Sequence, residues 1–564
     1  MRYWVKNNWI YAAIALLGVT LATPGLRDMP FTQGDDATYY TTARSLKLLL
    51  DWGWENSGSA GAAAVDIAAF KARYEAAGVE FAMPYYSKPL FDVIYLGALE
   101  LWGIRPQAIL FVNLVFFAIA IWSLARIGEA QWSRDVGLLA ALLLATSGSA
   151  LVYARTGMAH MASLTLFLLG AHLFLRMGTG DTRRLWAPGA VWGLCLAVHP
   201  NLLPFIGICG VADMGRAWRM YGPALAWRRA LILAAGAATV GLAIEGGYRV
   251  FGLVFQGVFA AAADWWAIPF RTYFEQLTIH VDAVQSGTVP PLQKIYTYLL
   301  LFWAHEGLLA CALIGLATAW ALKERRDPAV LLLVALFWLP LIYFMASKNL
   351  AVYRYAAPVI LPGVLLAALA LERLLQLLRQ RWPQSRPLAL AVAIFAVAAV
   401  NIAHLQPIYQ VESAWASTAQ WLRLHNQRDI VSTAGRTLWA AHGIGFRDPR
   451  HGVEDVRYLA LYKRYEKERE LAIIDRRAST TRPIFTAEHR RPDKLLEIAF
   501  LVDNPVLDGL GILPGIGEFV ANMRMKVLEL NKLHYMEVYE LRGTAEGERA
   551  GPGSSLAREA KRLG

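Results

Sequence analysis

The stretch TQGDDATYYTTARS, residues 32–45, places two adjacent carboxylates, Asp35 and Asp36, directly after the first long apolar segment of the chain. Charged side chains are costly close to lipid, and those kept beside a membrane segment usually serve binding or catalysis. A structural interpretation is also available, because acids cap helices and are favoured in a first helical turn, and a helix can begin near Ala37. The pair alone leaves both interpretations open.

The composition is typical of a polytopic membrane protein. Of the 564 residues, 56% are hydrophobic and only 17% are charged, whereas soluble domains carry roughly 25% charged residues. The net charge of +12 does not indicate a nucleic-acid partner, because the basic residues stand in short clusters between apolar segments. Cys195, Cys209 and Cys311 all lie in apolar segments, so no disulfide framework is predicted.

Apolar segments near the length needed to cross a bilayer, about 20 residues each, predict a bundle of about eleven transmembrane helices. They are 9–26, 107–125, 136–153, 160–176, 186–199, 201–215, 230–246, 295–320, 329–346, 356–377 and 387–404. The first lacks a small-residue cleavage site and is predicted to be a retained span rather than a signal peptide. Basic clusters fall in alternate loops, which predicts a cytoplasmic N-terminus and an outward-facing chain after residue 404.

The fold class predicted is mainly α, with three parts. Residues 1–404 form the transmembrane module, in which 27–106 is the first outer loop and carries juxtamembrane helices at 63–77 and 88–103. Residues 405–542 predict a small extracytoplasmic α/β domain, and residues 543–564 a disordered tail. Within the soluble domain we expect helices at 413–425 and 455–470, and strands at 429–433, 496–502, 525–530 and 534–541.

Two further polar stretches stand at the outer ends of predicted spans. Lys88 lies in YYSKPL, residues 85–90, and Lys348, Arg354 and Tyr355 lie in ASKNLAVYRYAAP, residues 346–358. Arginine pairs bidentately with phosphate and stays charged, whereas the competing interpretation is an interfacial anchor with aromatic rings at headgroup level. His199, in the turn between two apolar segments, is either a cationic phosphate partner or a structural residue.

In this order and in these positions, the stretches resemble the integral-membrane glycosyltransferases of the GT-C superfamily. The similar branch uses polyprenyl-phosphate sugars and includes aminoarabinose transferase and the protein mannosyltransferases. Asp35-Asp36-Ala37-Thr38-Tyr39 resembles its acidic and tyrosine pattern after span one. Residues 85–90 resemble Tyr-x-x-Lys-Pro-Pro-Leu with one proline missing, and Arg354-Tyr355-Ala356-Ala357-Pro358 resembles a later Arg-Tyr-x-x-Pro element. The chain departs from the pattern after Arg155, where His160 stands in place of a frequent acid.

The resemblance, which covers roughly residues 9–380, implies the fold of a GT-C bundle and an inverting transfer of a sugar from a polyprenyl-phosphate carrier. The acceptor, a lipid, glycan or protein, would be met at the outer face of the bacterial cytoplasmic membrane. Asp35 would act as general base, assisted by Asp36, while Lys88 and Arg354 stabilise the departing phosphate. The remaining donor-binding candidates are Tyr39, Tyr85, His199, Lys348 and Tyr355.

No cofactor is required by this scheme, and a divalent cation is left open. Besides the donor and acceptor, the expected partners are membrane lipids. Two other functions compete with the transferase. A lipid or glycan transporter would show broken helices and internal repeats, neither of which is visible in the sequence. A non-catalytic membrane assembly subunit would use the soluble domain as its working part.

Overall fold

In the computed structural model the chain divides into two compact units. The first comprises Met1–Leu26 and Met83–Tyr409, the second Arg27–Ala82 and Gln410–Gly564. The structure describes residues 2–26, 39–44, 46–48, 51, 89–177, 182–259, 291–324, 327–347, 357–381, 386–410, 412–426, 429–433, 444–447, 456–463, 468–480, 482–488, 491–502, 517–518, 521–522, 524 and 535–542. The domain boundaries predicted at residues 404 and 542 stay predictions.

The described part of the first unit is built of helices. In chain order they are α1 (Arg2–Ala22), α2 (Pro89–Trp102), α3 (Pro106–Gln131), α4 (Arg134–Ala145), α5 (Gly148–Ala154), α6 (His160–Leu175), α7 (Trp186–Val198), α8 (Leu203–Tyr221), α9 (Pro223–Phe259), α10 (Pro291–Glu324), α11 (Pro328–Ser347), α12 (Ile360–Arg381) and α13 (Arg386–His404). Every predicted apolar segment overlaps one of these helices or, for 136–153, the consecutive pair α4 and α5.

Five helices among the described residues are long and apolar enough to cross a membrane. They are Pro106–Gln131, Pro223–Gly247, Tyr298–Glu324, Ala357–Arg381 and Leu390–Gln410, and a sixth is added if α4 and α5, which meet at 58°, form one span. Trp9–Ala22, His160–Leu175 and Pro328–Tyr343 are shorter apolar helices. The chain is therefore a multi-pass membrane protein, and the figure of about eleven crossings stays a prediction.

Two helices of the bundle are broken, which corrects the expectation from the sequence. The α4–α5 bend is one break, and the other lies inside α10 at Gly307, whose φ of 79° and ψ of 166° are not helical. A φ in this region strains residues other than glycine. Both breaks fall at polar interruptions of the apolar runs, Thr146–Ser149 and His305-Glu306-Gly307, and the predicted spans 136–153 and 295–320 passed over these interruptions.

The helix α2 coincides with the helix expected at 88–103, but only one of its two acids is exposed. Asp92 is fully buried beside Phe91 and Leu99, whereas Glu100 is exposed together with Val93 and Leu101. The exposed face of α2 is therefore largely apolar and carries one acid near the end of the helix. The expected location of α2 on the outer membrane surface stays a prediction, and the helix expected at 63–77 lies outside the described residues.

Glycines allow close approach of helices in the bundle. A Cβ on Gly137 of α4 would lie 2.6 Å from the carbonyl oxygen of Ala125 in α3, and one on Gly193 of α7 would lie 2.7 Å from that of Ala237 in α9. Such contacts admit only glycine without a shift of the backbone. Small residues serve membrane helices in this way, since packing rather than the hydrophobic effect drives their association.

The second unit contains a five-stranded sheet with the order β2-β1-β3-β5-β4. The strands are β1 (Asp429–Ser432), β2 (Gly445–Arg447), β3 (Tyr458–Tyr462), β4 (Phe485–Glu488) and β5 (Tyr535–Glu540), and the helices are α14 (Ala414–Leu424), α15 (Glu468–Arg477) and α16 (Pro492–Val502). Strand β1 pairs in parallel with β2 and β3, whereas β5 is antiparallel to β3 and β4.

Two expected elements of this unit are wrong. Residues 455–470, expected as a helix, contain β3, whose five side chains are all buried. Residues 496–502, expected as a strand, belong to the helix α16. A short, continuously apolar run does not distinguish a buried strand from a buried helix. The strand expected at 525–530 lies outside the described residues.

Candidate functional site

The loop between α5 and α6 is held by side chains from two other helices. Asn113 of α3 donates from Nδ2 to the carbonyl oxygens of Thr156 at 2.5 Å and Met158 at 3.0 Å. The hydroxyl of Tyr95 in α2 donates to the carbonyl oxygen of Gly157 at 2.5 Å. Asn113 and Tyr95 are fully buried. Three successive backbone carbonyls are thus fixed, which gives this α5–α6 loop a defined conformation.

The end of α1 meets the beginning of the same loop. Arg155 donates from a guanidinium N–H to the carbonyl oxygen of Ala22 at 3.2 Å, and the Tyr409 hydroxyl donates to that of Leu21 at 2.9 Å. The guanidinium carbon lies 5.3 Å from the centre of the Tyr409 ring. The last carbonyls of a helix lack intrahelical partners and carry partial negative charge. The two side chains satisfy them, and they fix where the chain leaves α1.

Three buried rings connect the α5–α6 loop with the turn after α7. The ring centres of Tyr153 and His160 are 4.9 Å apart, and those of His160 and His199 are 4.7 Å apart. The backbone N–H of Asn201 donates to Nδ1 of His199 at 3.3 Å. The neutral His199 ring therefore carries its proton on Nε2. The structure brings together two histidines that are 39 positions apart in the sequence.

Two hydrogen-bond donors in this region have no hydrogen-bond partner among the described residues. They are Nε of Arg155 and Nδ2 of Asn201, and both side chains are buried. Buried polar atoms are normally paired. Each of these two donors can therefore bind an acceptor that lies outside the described residues.

Two of the predicted site residues belong to the described part of the chain. His199 is in the ring series above, and Tyr39 is buried in the helical residues 39–44 of the second unit. The others lie outside the described residues, and their roles stay predictions: Asp35, Asp36, Tyr85, Lys88, Lys348, Arg354 and Tyr355. Arg155 and His160 were not selected from the sequence, although both stand at the departure from the GT-C pattern.

The described residues contain no group of three or more His, Cys, Asp or Glu side chains that could hold a metal ion. His160 and His199 provide at most two imidazole nitrogens where zinc sites need at least three protein ligands. Participation of a divalent cation stays a prediction that involves residues beyond this pair.

No protein-family model and no curated protein sequence matches the chain, but solved structures are similar to it. The crystal structure of ArnT from Cupriavidus metallidurans bound to undecaprenyl phosphate is 14% identical, over 78% of this chain and 75% of that chain, with a TM-score of 0.46. The archaeal oligosaccharyltransferase AglB from Archaeoglobus fulgidus, in complex with an inhibitory peptide and a dolichol-phosphate, is 13% identical over 81% and 70%, with a TM-score of 0.44. A further structure of the Archaeoglobus fulgidus oligosaccharyltransferase, complexed with Zn and sulfate, covers 94% of this chain and 88% of that one, at 13% identity and a TM-score of 0.42. ArnT is an aminoarabinose transferase, and both proteins are GT-C glycosyltransferases.

Proposed function

We propose that the chain is a GT-C-type glycosyltransferase that moves a sugar from a polyprenyl-phosphate carrier to a lipid, glycan or protein acceptor. The reaction takes place at the outer face of the bacterial cytoplasmic membrane, with the N-terminus in the cytoplasm. The observation that supports this proposal is the fixed end of α1. Arg155 and Tyr409 bind its last carbonyls, and the sequence continues from there into Asp35 and Asp36.

In the proposed reaction Asp35 removes the proton of the acceptor hydroxyl as its oxygen attacks the anomeric carbon. The bond from that carbon to the phosphate oxygen breaks, and the phosphate leaves with the electron pair. One displacement inverts the anomeric centre. A well-placed general base contributes about 10²–10⁴-fold to the rate. Asp36 positions the acceptor or raises the pKa of its neighbour, because adjacent carboxylates disfavour double ionisation.

The departing phosphate requires positive charge that is already in place. Lys88 and Arg354 supply it in this proposal, with Tyr39, Tyr85, Lys348 and Tyr355 completing the donor site. The described residues add His199 and its neighbour His160, whose rings lie 4.7 Å apart. No cofactor is needed for this displacement.

A transporter of lipids or glycans is the second candidate, and the two broken helices favour it. Discontinuous helices are typical of transporter binding sites. The described residues pair each break with side chains of the bundle, as described below, which also suits a rigid enzyme. The third candidate, an assembly subunit, gains no specific observation.

The test is incubation of the purified protein in lipid nanodiscs with a polyprenyl-phosphate sugar labelled on the sugar. Release of the carrier and label in an acceptor support the transferase, and Asp35→Asn should abolish both while the protein stays folded. Asp51→Asn is the matched control, because Asp51 pairs with Lys47 at a half-exposed position. Retained turnover in Asp35→Asn overturns the assignment of the base. Movement of intact donor across the membrane of proteoliposomes supports the transporter. If neither activity is found, the assembly subunit is the candidate that remains.

A further inference from the structure

The two helix breaks of the first unit are joined by one group of polar side chains. We name this group the double-break cluster: Thr146, Ser147, Ser149, Glu306, Asn401 and His404. All but His404 are buried. A helix break leaves N–H and C=O groups without intrahelical partners, and in an apolar bundle each such group is costly unless another partner binds it. The cluster supplies those partners.

Glu306, from the α10 break, binds the beginning of α5. One carboxylate oxygen accepts from the backbone N–H of Ser149 at 3.2 Å and from the Ser149 hydroxyl. The hydroxyl oxygen of Ser147 accepts from the N–H of Ala150 at 3.1 Å. Two of the free N–H groups of α5 are thereby satisfied, one by its own serine and one by Glu306 from a distant helix.

The helix α13 serves both breaks. Asn401 donates to the hydroxyl oxygen of Thr146 at 2.9 Å, at the α4–α5 bend. Nε2 of His404 lies 2.9 Å from the carbonyl oxygen of Ala304, one turn before the Gly307 break. Residues three apart lie on one face of a helix, so a single face of α13 reaches both sites.

A buried carboxylate at this place needs a reason. Removing an ionised group from water is expensive, and acids inside membrane bundles are usually functional. Glu306 binds the first turn of α5, which carries Tyr153 near its other end and is followed directly by Arg155. Six residues separate Ser149 from Arg155, which is about 9 Å along a helix. A seven-residue helix moves as one piece, so a displacement at Ser149 reaches Arg155 and the α5–α6 loop.

We propose that Glu306 is a positioning residue for the carrier-phosphate side of the transferase site. Glu306 fixes the first turn of α5. It thereby fixes the positions of Arg155, of His160 and His199, and of the α5–α6 loop that Asn113 binds. This inference rests on the proposed function for its catalytic consequence. The mechanical part, that Glu306 fixes the α5–α6 loop, stands on the hydrogen bonds alone.

The kinetic test compares Glu306→Ala with Glu306→Gln. The amide oxygen of glutamine still accepts from the N–H and hydroxyl of Ser149, so Gln should stay within about tenfold of the parent protein, whereas Ala should lose on the order of 100-fold in kcat/KM. The loss should appear mainly as a raised KM for the donor, because the displaced groups bind its phosphate. Glu324→Gln, at the surface end of the same helix and paired with Arg373, is the control and should change neither constant. A lower yield of folded protein with an unchanged donor KM in the Ala variant would overturn the inference, as would equal damage from Ala and Gln.

A second measurement needs no turnover. Thr156 in the loop is 1% exposed, so a Thr156→Cys side chain should resist a polar thiol reagent. The native Cys195 and Cys209 are buried, and Cys311 is replaced by alanine. Adding Glu306→Ala should accelerate labelling at position 156 at least tenfold, and Glu306→Gln should not. Unchanged labelling in the Ala variant refutes the positioning role even if transfer is observed. If labelling at position 156 responds as expected but the protein has no transferase activity, the proposed function is refuted and the positioning role of Glu306 stands.

Discussion

The replacement Asn113→Leu tests whether the α5–α6 loop is held by side chains from outside it. Leucine has the same branched arrangement of four side-chain heavy atoms as asparagine, but it removes the two hydrogen bonds to Thr156 and Met158. At about 0.6 kcal/mol for each bond in a membrane protein, or about 1.5 kcal/mol at the upper end for buried bonds, the loop loses roughly 1–3 kcal/mol. Since 1.4 kcal/mol corresponds to a factor of ten, the open state of the loop should be populated roughly 8–150 times more often.

The assay is hydrogen–deuterium exchange of the peptide that covers residues 155–160, with a peptide from the middle of α6 as internal reference. Ser123→Ala is the matched control. Ser123 is fully buried on the same helix as Asn113, and its hydroxyl oxygen has no hydrogen-bond partner among the described residues, so its loss should leave loop exchange unchanged. Equal exchange of the loop in Asn113→Leu and the parent protein would refute the reasoning. So would equal acceleration by Ser123→Ala, because the loop would then respond to any change in α3.

Three further changes have defined outcomes. Gly137→Ala places a Cβ 2.6 Å from a backbone oxygen of α3 and should lower stability by about 1–3 kcal/mol. Gly207→Ala, with open space around it, should instead raise stability by about 0.5–1 kcal/mol. Thermal unfolding in one detergent compares the two variants, and equal effects on stability would contradict the packing argument. Arg155→Lys replaces the planar guanidinium by a compact ammonium group and should raise the KM for the donor about tenfold. An unchanged KM would contradict this prediction. Burial raises the pKa of Tyr40 to about 12, against a smaller opposing effect of Arg44. The unfolded tyrosine loses its proton near pH 10, so stability should fall between pH 10 and 12 by up to about 3 kcal/mol. Tyr40→Phe should remove that decline, and an identical pH profile would contradict it.

The helices of the bundle could be predicted from the sequence because their apolar runs are long. Every expected segment overlaps a helix, since runs of this length and composition have few other stable forms in lipid. Their boundaries were less predictable: α1 begins before residue 9, and α9 extends well past residue 246 on the side of its C-terminus. The break at Gly307 directly follows His305 and Glu306, a polar interruption that the predicted continuous span 295–320 did not take into account.

The elements of the second unit were harder to predict because they are short. The run YLALY at 458–462 has no alternation, since both faces of β3 are covered, and EIAFLVD at 496–502 has the composition of a strand but continues a helix that begins at Pro492. In each case the surrounding unit, rather than local propensity, decides the conformation.

The candidate site shows the same division between local and distant information. His199 was selected because it stands in a turn at the end of an apolar segment, which is a local signal. Its contact with His160, and the bond from Asn113 to the α5–α6 loop, join residues far apart in the chain. Asp92 gives the clearest warning. Two acids among apolar residues, Asp92 and Glu100, indicated a surface helix, but Asp92 is buried while Glu100 is exposed, so the identity of a residue did not reveal which way its side chain faces.

The double-break cluster has a consequence for biosynthesis. The partner of the Ser149 N–H, Glu306, lies 157 positions later in the chain. At a synthesis rate of about 5–20 residues per second, Glu306 is made roughly 8–31 s after Ser149. During that interval the nascent α5 lacks the partner of this backbone group. A chaperone or insertase that shields α5 until α10 arrives would therefore have a definite substrate, and a ribosome stalled before residue 306 should leave α5 open to quality-control proteases.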